Sequence, residues 1–149
     1  MVMLMKSLGF VRLSAALVAL SLPFPASGEE VAAVSGLAHT QLFAVGGIGV
    51  AGSMSDGERD LRTVLDQPNA AAVLREILSR ATPVGQLYAL LGLRLRDRAA
   101  YEQVLPALRK RSDMISTARG CILTKEEMAN IIREIEHGDY DAAIAHPPW

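Results

Sequence analysis

The stretch AAAVLREILSRA, at residues 70–81, repeats its apolar side chains at the spacing of an α-helix. Arg75, Glu76 and Arg80 lie on the opposite side of the helical wheel. A half-buried β-strand would need strict alternation of apolar and polar residues, which this stretch lacks. The pattern therefore predicts an amphipathic helix that needs a core beside it. The apolar stripe of that helix consists of Val73, Leu74, Ile77, Leu78 and Ala81.

The same spacing continues on both sides of this stretch. It predicts further helices over residues 58–66, 84–97, 98–111 and 126–137. The helix over 84–97 is apolar nearly all round, which is typical of a central helix covered on several sides. Pro106 is expected to kink the helix over 98–111 because it removes one backbone hydrogen bond.

Residues that favour helix ends stand at the borders of these segments. Side chains that accept hydrogen bonds from free N–H groups are expected to cap the starts. Gly138 is expected to close the last helix, because glycine adopts a left-handed conformation without strain. The predicted starting signals are Ser55 with Glu58, Asn69, Thr82 with Pro83, Asp97, and Thr124 with Glu127.

Residues 114–124 lack helical spacing. Ile115, Thr117, Cys121, Ile122 and Leu123 surround the pair Arg119-Gly120. This composition predicts a short hairpin or a buried loop.

The span from Thr82 to Asp113 resembles a HEAT-type helical pair. The sequence GQLYALLGLRLRD is similar to the first part of such repeats, and Asp97 and Arg98 stand where these families have their turn. The preceding pair, over residues 58–81, lacks the pattern, so the sequence shows no fixed repeat period. The resemblance implies a mostly helical fold, a fragment of an α-solenoid, that presents a surface to partners and is seldom catalytic.

The first 28 residues have the order of a secretory signal peptide. Lys6 and Arg12 precede the apolar run Leu13–Leu22, and small residues lead to a predicted cut between Gly28 and Glu29. The run has about ten residues, whereas a membrane-spanning helix needs roughly twenty. The sequence therefore predicts a secreted or periplasmic protein.

Removal of this segment leaves 13 basic and 16 acidic side chains, a formal net charge of −3. Nucleic-acid binding relies on a strong basic field, so no nucleic-acid partner is expected. About 120 residues are enough for one domain with a core. We expect a Gly-rich extended or irregular segment over 29–57, a helical domain over 58–145 and a flexible tail over 146–149.

The glycines Gly47, Gly49 and Gly52 fit the pattern G-x-G-x-x-G of dinucleotide-binding turns. Such a turn opens directly into a helix and is followed by a second strand ending in an acidic residue. Here the helix starts only after Ser55, and no second strand follows. We therefore expect no cofactor, and instead an irregular or strand-like segment lying against the helices. The alternative is that the uncharged residues Leu42–Gly52 insert into a membrane or contact a partner.

Cys121 is the single cysteine of the chain. The apolar residues around it favour a buried, inert thiol, and the alternatives are an intermolecular disulfide or a thiol-dependent enzyme or redox protein. His39, His137 and His146 are isolated in sequence, and no residue spacing indicates a metal site. No catalytic residue is predicted.

Arginine is concentrated where the helices over 84–97 and 98–111 meet. Arg94, Arg96 and Arg98 are solvated charges or a candidate surface for an acidic partner or an anionic envelope surface. The sequence as a whole favours an exported, non-catalytic protein-binding module whose partner is another exported or envelope protein. Membrane contact through Leu42–Gly52 and thiol chemistry at Cys121 stay as alternatives.

Overall fold

The computed structural model of the protein describes residues 27–145. This part of the chain is mostly helical, as predicted, and also contains a small three-stranded sheet. The predicted signal peptide, apart from Ser27 and Gly28, and the predicted tail over 146–149 lie outside the described residues. The helices are α1 (Gly28–His39), α2 (Asp56–Leu65), α3 (Ala70–Arg80), α4 (Pro83–Arg96), α5 (Arg98–Leu108), α6 (Met128–His137) and α7 (Asp141–Ala145). The strands are β1 (Leu42–Phe43), β2 (Met114–Arg119) and β3 (Ile122–Glu127).

Helix α4 lies at the centre of the structure, which confirms its predicted position. Its residues from Val84 to Leu93 are buried with the single exception of Gln86. Gly92 permits a close helix contact, because a Cβ there would come within 2.8 Å of the Leu74 side chain on α3. Helices α1, α2, α3, α5 and α6 and strands β1 and β2 contact α4, so the core of the protein surrounds this helix.

Helix starts follow the capping signals of the sequence in most cases. The side chains of Ser55, Thr82 and Asp97 each accept a backbone N–H of the helix that follows. Gly138 has φ +86° and ends α6, as predicted. The Asn69 side chain makes no capping hydrogen bond.

The sheet has the strand order β1-β2-β3. Strand β1 runs parallel to β2, and β3 runs antiparallel to β2. The predicted hairpin is therefore confirmed, and it is longer than expected. The prediction that Thr124 and Glu127 cap the start of the last helix is wrong. These residues pair with Thr117 and Met114 of β2, and this pairing keeps them extended until α6 begins at Met128.

The prediction of an extended segment from residue 29 onward is also wrong, because residues 28–39 form α1. Ser27 and Glu30 form a capping box at its start, with the Glu30 N–H 3.2 Å from Ser27 Oγ. Ala33, Leu37 and Ala38 are buried against the rest of the core. The small size of Gly36 permits this packing, since a Cβ there would overlap the Asp60 carboxylate of α2.

Candidate binding surface

The glycine-rich segment forms a compact turn that closes on itself. Ile48 and Ser53 exchange two backbone hydrogen bonds, of 2.7 and 2.8 Å. Gly47 has φ +96°, and a Cβ there would lie 2.8 Å from the carbonyl oxygen of Gly52. The turn ends before α2 starts at Asp56, so its glycines do not open a helix as they do in a dinucleotide-binding turn. The predicted irregular segment beside the helices is confirmed.

The tip of the β2–β3 hairpin is joined to this turn. The Gly49 N–H donates to the Gly120 carbonyl over 2.8 Å. Gly120 and Cys121 are the two central residues of the hairpin turn. Gly120 has φ +56°, whereas φ of Cys121 is not positive. A glycine with positive φ at the first central position is typical of a type II′ turn. Two turns distant in sequence thus form one continuous end of the molecule.

This end of the molecule exposes large apolar side chains. Val50 is 98% exposed, Ile122 66% and Leu123 74%. We call these three residues the apolar tip. Neither residues 41–55 nor residues 120–124 contain a charged side chain. Ile122 and Leu123 are consecutive strand residues, so their side chains lie on opposite faces of β3. Scattered apolar residues are ordinary on protein surfaces, but exposed ones on two joined, charge-free turns make this end of the molecule a candidate interaction site.

A buried polar network fixes the base of the glycine turn. The Tyr88 hydroxyl accepts the Ala44 N–H at 2.9 Å and lies 2.9 Å from the Ala44 carbonyl. Ser55 Oγ donates to the same carbonyl at 2.7 Å and accepts the Glu58 N–H at 3.0 Å. Burial raises the pKa of Tyr88 to about 12, so the phenol stays neutral and able to donate.

Glu58 holds the next part of the turn. Its side chain is 1% exposed and accepts the Gly46 N–H at 2.9 Å. The Arg62 guanidinium lies 2.8 Å from the same carboxylate and also donates to the carbonyls of Ala143 and Ile144. The sequence predicted that Glu58 would cap α2 in a reciprocal box, but its carboxylate instead binds the glycine turn.

A second cluster anchors the hairpin. Arg119 donates to Glu134 of α6 at 2.7 Å, and this hydrogen bond raises the pKa of Arg119. Tyr140 hydrogen-bonds the same carboxylate, and burial raises the pKa of its phenol. Thr117 donates to Glu126 at 2.7 Å, which lowers the pKa of that carboxyl. These contacts hold the end of β2 next to the Gly120 turn against α6.

The outer edge of β3 presents backbone groups to solvent. The Met128 N–H donates to the Asp113 carbonyl at 2.9 Å, which makes these two residues a hydrogen-bonded pair. Such pairs alternate along an antiparallel ladder, so the backbone groups of Leu123, Lys125 and Glu127 point away from β2. These three side chains share one face of the sheet and are exposed.

Cys121 lies in the hairpin turn and is exposed. The prediction of a buried, inert thiol is therefore wrong. The apolar neighbours on which that prediction relied, Ile122 and Leu123, are exposed themselves. Apolar residues are usually buried, and nothing in the local sequence indicated that this strand lies at the edge of its sheet.

The three predicted arginines do not form a common free surface. Arg94 pairs with Asp141, and its side chain is 15% exposed. Arg96 donates to the Leu65 carbonyl at 2.8 Å. Arg98 remains exposed, where it pairs with Glu102 at 2.7 Å and lies over the Tyr101 ring. These contacts give each arginine an intramolecular role.

A shallow groove runs between α1 and α3. It measures about 270 Å³, and Val31, Val34 and Val73 line it.

No helix within residues 27–145 combines the length and apolarity needed to cross a bilayer. In the same range, no three metal-ligating side chains come together as an ion would require.

Comparisons with known proteins give no relative for this chain. No family model matches it, and neither curated proteins nor solved structures provide a match.

Proposed function

We propose that this protein is an exported, non-catalytic binding module that contacts another exported or envelope protein through its apolar tip. The observation that carries the proposal is the exposure of Val50, Ile122 and Leu123 on two turns joined by the hydrogen bond from Gly49 to Gly120. The buried network around Tyr88 and the partly exposed contact between Arg119 and Glu134 hold these turns in place. A preorganised apolar surface loses little conformational entropy on binding, which favours association.

The same surface favours a protein over a lipid bilayer as the partner. The tip is built from turns, and the adjacent edge of β3 carries backbone N–H and C=O groups that point outward. Hydrocarbon offers these groups no hydrogen bonds, so open sheet edges and irregular backbone do not occur in contact with lipid tails. A protein supplies both apolar side chains and backbone partners.

Three further points belong to this proposal: export, the HEAT-like helix pair and the exposed Arg98. Export rests on the signal-peptide pattern over residues 1–28. The HEAT-like character of the pair α4 and α5 rests on residues 82–113, and it is supported by Asp97, which follows α4 and caps α5. Arg98, which is exposed and pairs with Glu102 of its own helix, is a candidate for a secondary contact with an acidic partner.

Partner capture from the exported-protein fraction of the source organism tests the proposal. The immobilised protein is compared with Val50→Ser and Leu123→Ser, and Val31→Ser serves as the matched control. Val31 is 59% exposed on α1, outside the two turns that form the tip. We expect a protein that the wild type and Val31→Ser retain equally and that both tip variants retain about tenfold less, since each loses buried apolar area.

Equal retention by all four proteins would contradict the proposal. Flotation with vesicles of phosphatidylcholine and phosphatidylglycerol distinguishes the membrane alternative. Flotation of the wild type that Leu123→Ser abolishes would replace the protein partner with a lipid surface. Activity toward a substrate that Cys121→Ser abolishes in a folded protein would instead establish the thiol enzyme.

A further inference from the structure

We infer that the partner binds by adding an extended strand to the outer edge of β3, a proposal that rests on the protein-binding function above. The partner strand runs antiparallel to β3. It carries an apolar residue opposite Leu123, an acidic residue opposite Lys125 and a basic residue opposite Glu127. Read from its own N-terminus, the partner therefore has the order basic, acidic, apolar at alternate positions.

The backbone of β3 supplies the first part of the argument. Strand β3 is six residues long, and among residues 27–145 it pairs with β2 on one side only. The N–H and C=O groups of Leu123, Lys125 and Glu127 point to the open side, as the bond from Met128 to Asp113 shows. Natural proteins shorten, cover or charge such edges to prevent unspecific pairing. This edge is of ordinary length, exposed and charged at Lys125 and Glu127, so only a strand of complementary charge fits it. Main-chain hydrogen bonds along this edge would provide affinity.

The side chains of the same three residues supply specificity. They occupy alternate positions, so all of them contact the same face of an added strand. Residues directly opposite in antiparallel strands have Cβ atoms about 5 Å apart, close enough for charges to pair. An apolar residue covers Leu123, an acidic one neutralises Lys125 and a basic one neutralises Glu127.

A second copy of this chain does not satisfy these requirements. The register that sets each Lys125 opposite the other copy's Glu127 places Leu123 against Ala129, which already belongs to α6. The register that sets two Leu123 residues opposite each other leaves Lys125 against the turn residue Cys121. A register centred on Lys125 puts two like charges together. The register that sets Leu123 opposite the other copy's Lys125 leaves the apolar and the basic side chain without complementary residues. None of these registers provides the complementary pairs, so the partner is a different chain.

Synthetic peptides test the inference on the full protein. The matched peptide is Thr-Arg-Thr-Glu-Thr-Leu-Thr-Val-Thr, and the control exchanges its Arg and Glu. We expect the control to bind about tenfold more weakly, because each opposed pair changes sign. The double variant Lys125→Glu with Glu127→Lys is expected to reverse that preference. The readout is fluorescence anisotropy of labelled peptides.

A backbone-modified peptide separates strand addition from side-chain contact. Methylation of the Glu amide in the matched peptide removes one N–H that faces β3 and leaves the side chains unchanged, so binding should be lost. Equal binding of the matched and exchanged peptides, full binding of the methylated peptide, or no binding of any peptide would each overturn strand addition. The capture experiment is independent: a partner that still depends on Leu123 would preserve the proposed function and reject only this binding mode.

Discussion

The Tyr88 hydroxyl accepts the Ala44 N–H at 2.9 Å, and this bond joins the central helix to the segment that carries the glycine turn. Tyr88 is fully buried, and Phe43, next to Ala44, packs its ring 4.8 Å from that of Tyr88. The position of the apolar tip therefore depends on a contact between residues 44 positions apart in sequence.

Tyr88→Phe is expected to lower the free energy of unfolding by about 1–3 kcal/mol at neutral pH. Phenylalanine fills the same space but leaves the buried Ala44 N–H without an acceptor. Urea denaturation measures the loss. Tyr101→Phe, which removes a hydroxyl on α5 outside this network, is the control and should change stability by less. An equal loss of unfolding free energy in the two variants would show that the Tyr88 hydrogen bond does not stabilise the protein.

The stability of the protein is expected to decrease as pH rises from about 10 to about 12. The pKa of Tyr88 is raised by burial from 10.0 to about 12 in the folded protein. As pH rises, the unfolded chain therefore releases this proton first. The contribution of the neutral Tyr88 phenol to the free energy of unfolding is complete below pH 10 and is lost as pH approaches 12. Two pKa units correspond to a contribution of about 3 kcal/mol.

Denaturant titrations over this pH range, on wild type and Tyr88→Phe, measure the contribution. The stability difference between the two proteins should shrink with rising pH, because the variant has no phenol to ionise at this position. The other tyrosines, Tyr101 and Tyr140, also have pKa values raised chiefly by burial, and they titrate in both proteins alike. A stability difference that stays constant from pH 9 to pH 12 would contradict the assignment to Tyr88.

The helices could be predicted because their signals are local. The apolar stripe of α3 and the caps Ser55, Thr82 and Asp97 act within a few residues of one another. Helix α1 was missed because its residues are small and weakly patterned, and it relies on Gly36 to approach Asp60 of α2. Contacts of that kind join distant parts of the chain, and no local pattern indicates them.

The candidate site was predictable only in part, for the same reason. The uncharged glycine segment Leu42–Gly52 was recognised as a candidate contact surface. Its continuation in Ile122 and Leu123 was not, because their exposure depends on β3 being the edge strand. Glu58 was recognised as a first-turn acid, whereas its role depends on the Gly46 N–H that the fold brings to it. The type of each residue can be read from the sequence, but its contacts with distant parts of the chain determine its role.

Gly47→Ala is expected to destabilise the protein more than Gly49→Ala, by at least about 1 kcal/mol. Both glycines have positive φ, which costs a residue with a side chain roughly 1–2 kcal/mol. A Cβ at Gly47 would in addition lie 2.8 Å from the Gly52 carbonyl, whereas nothing lies within 4 Å of one at Gly49. The overlap would open the turn and displace Val50, so Gly47→Ala should also weaken partner capture. Thermal unfolding and the capture assay measure the two effects, and identical losses in both variants would mean that the turn is not closely packed.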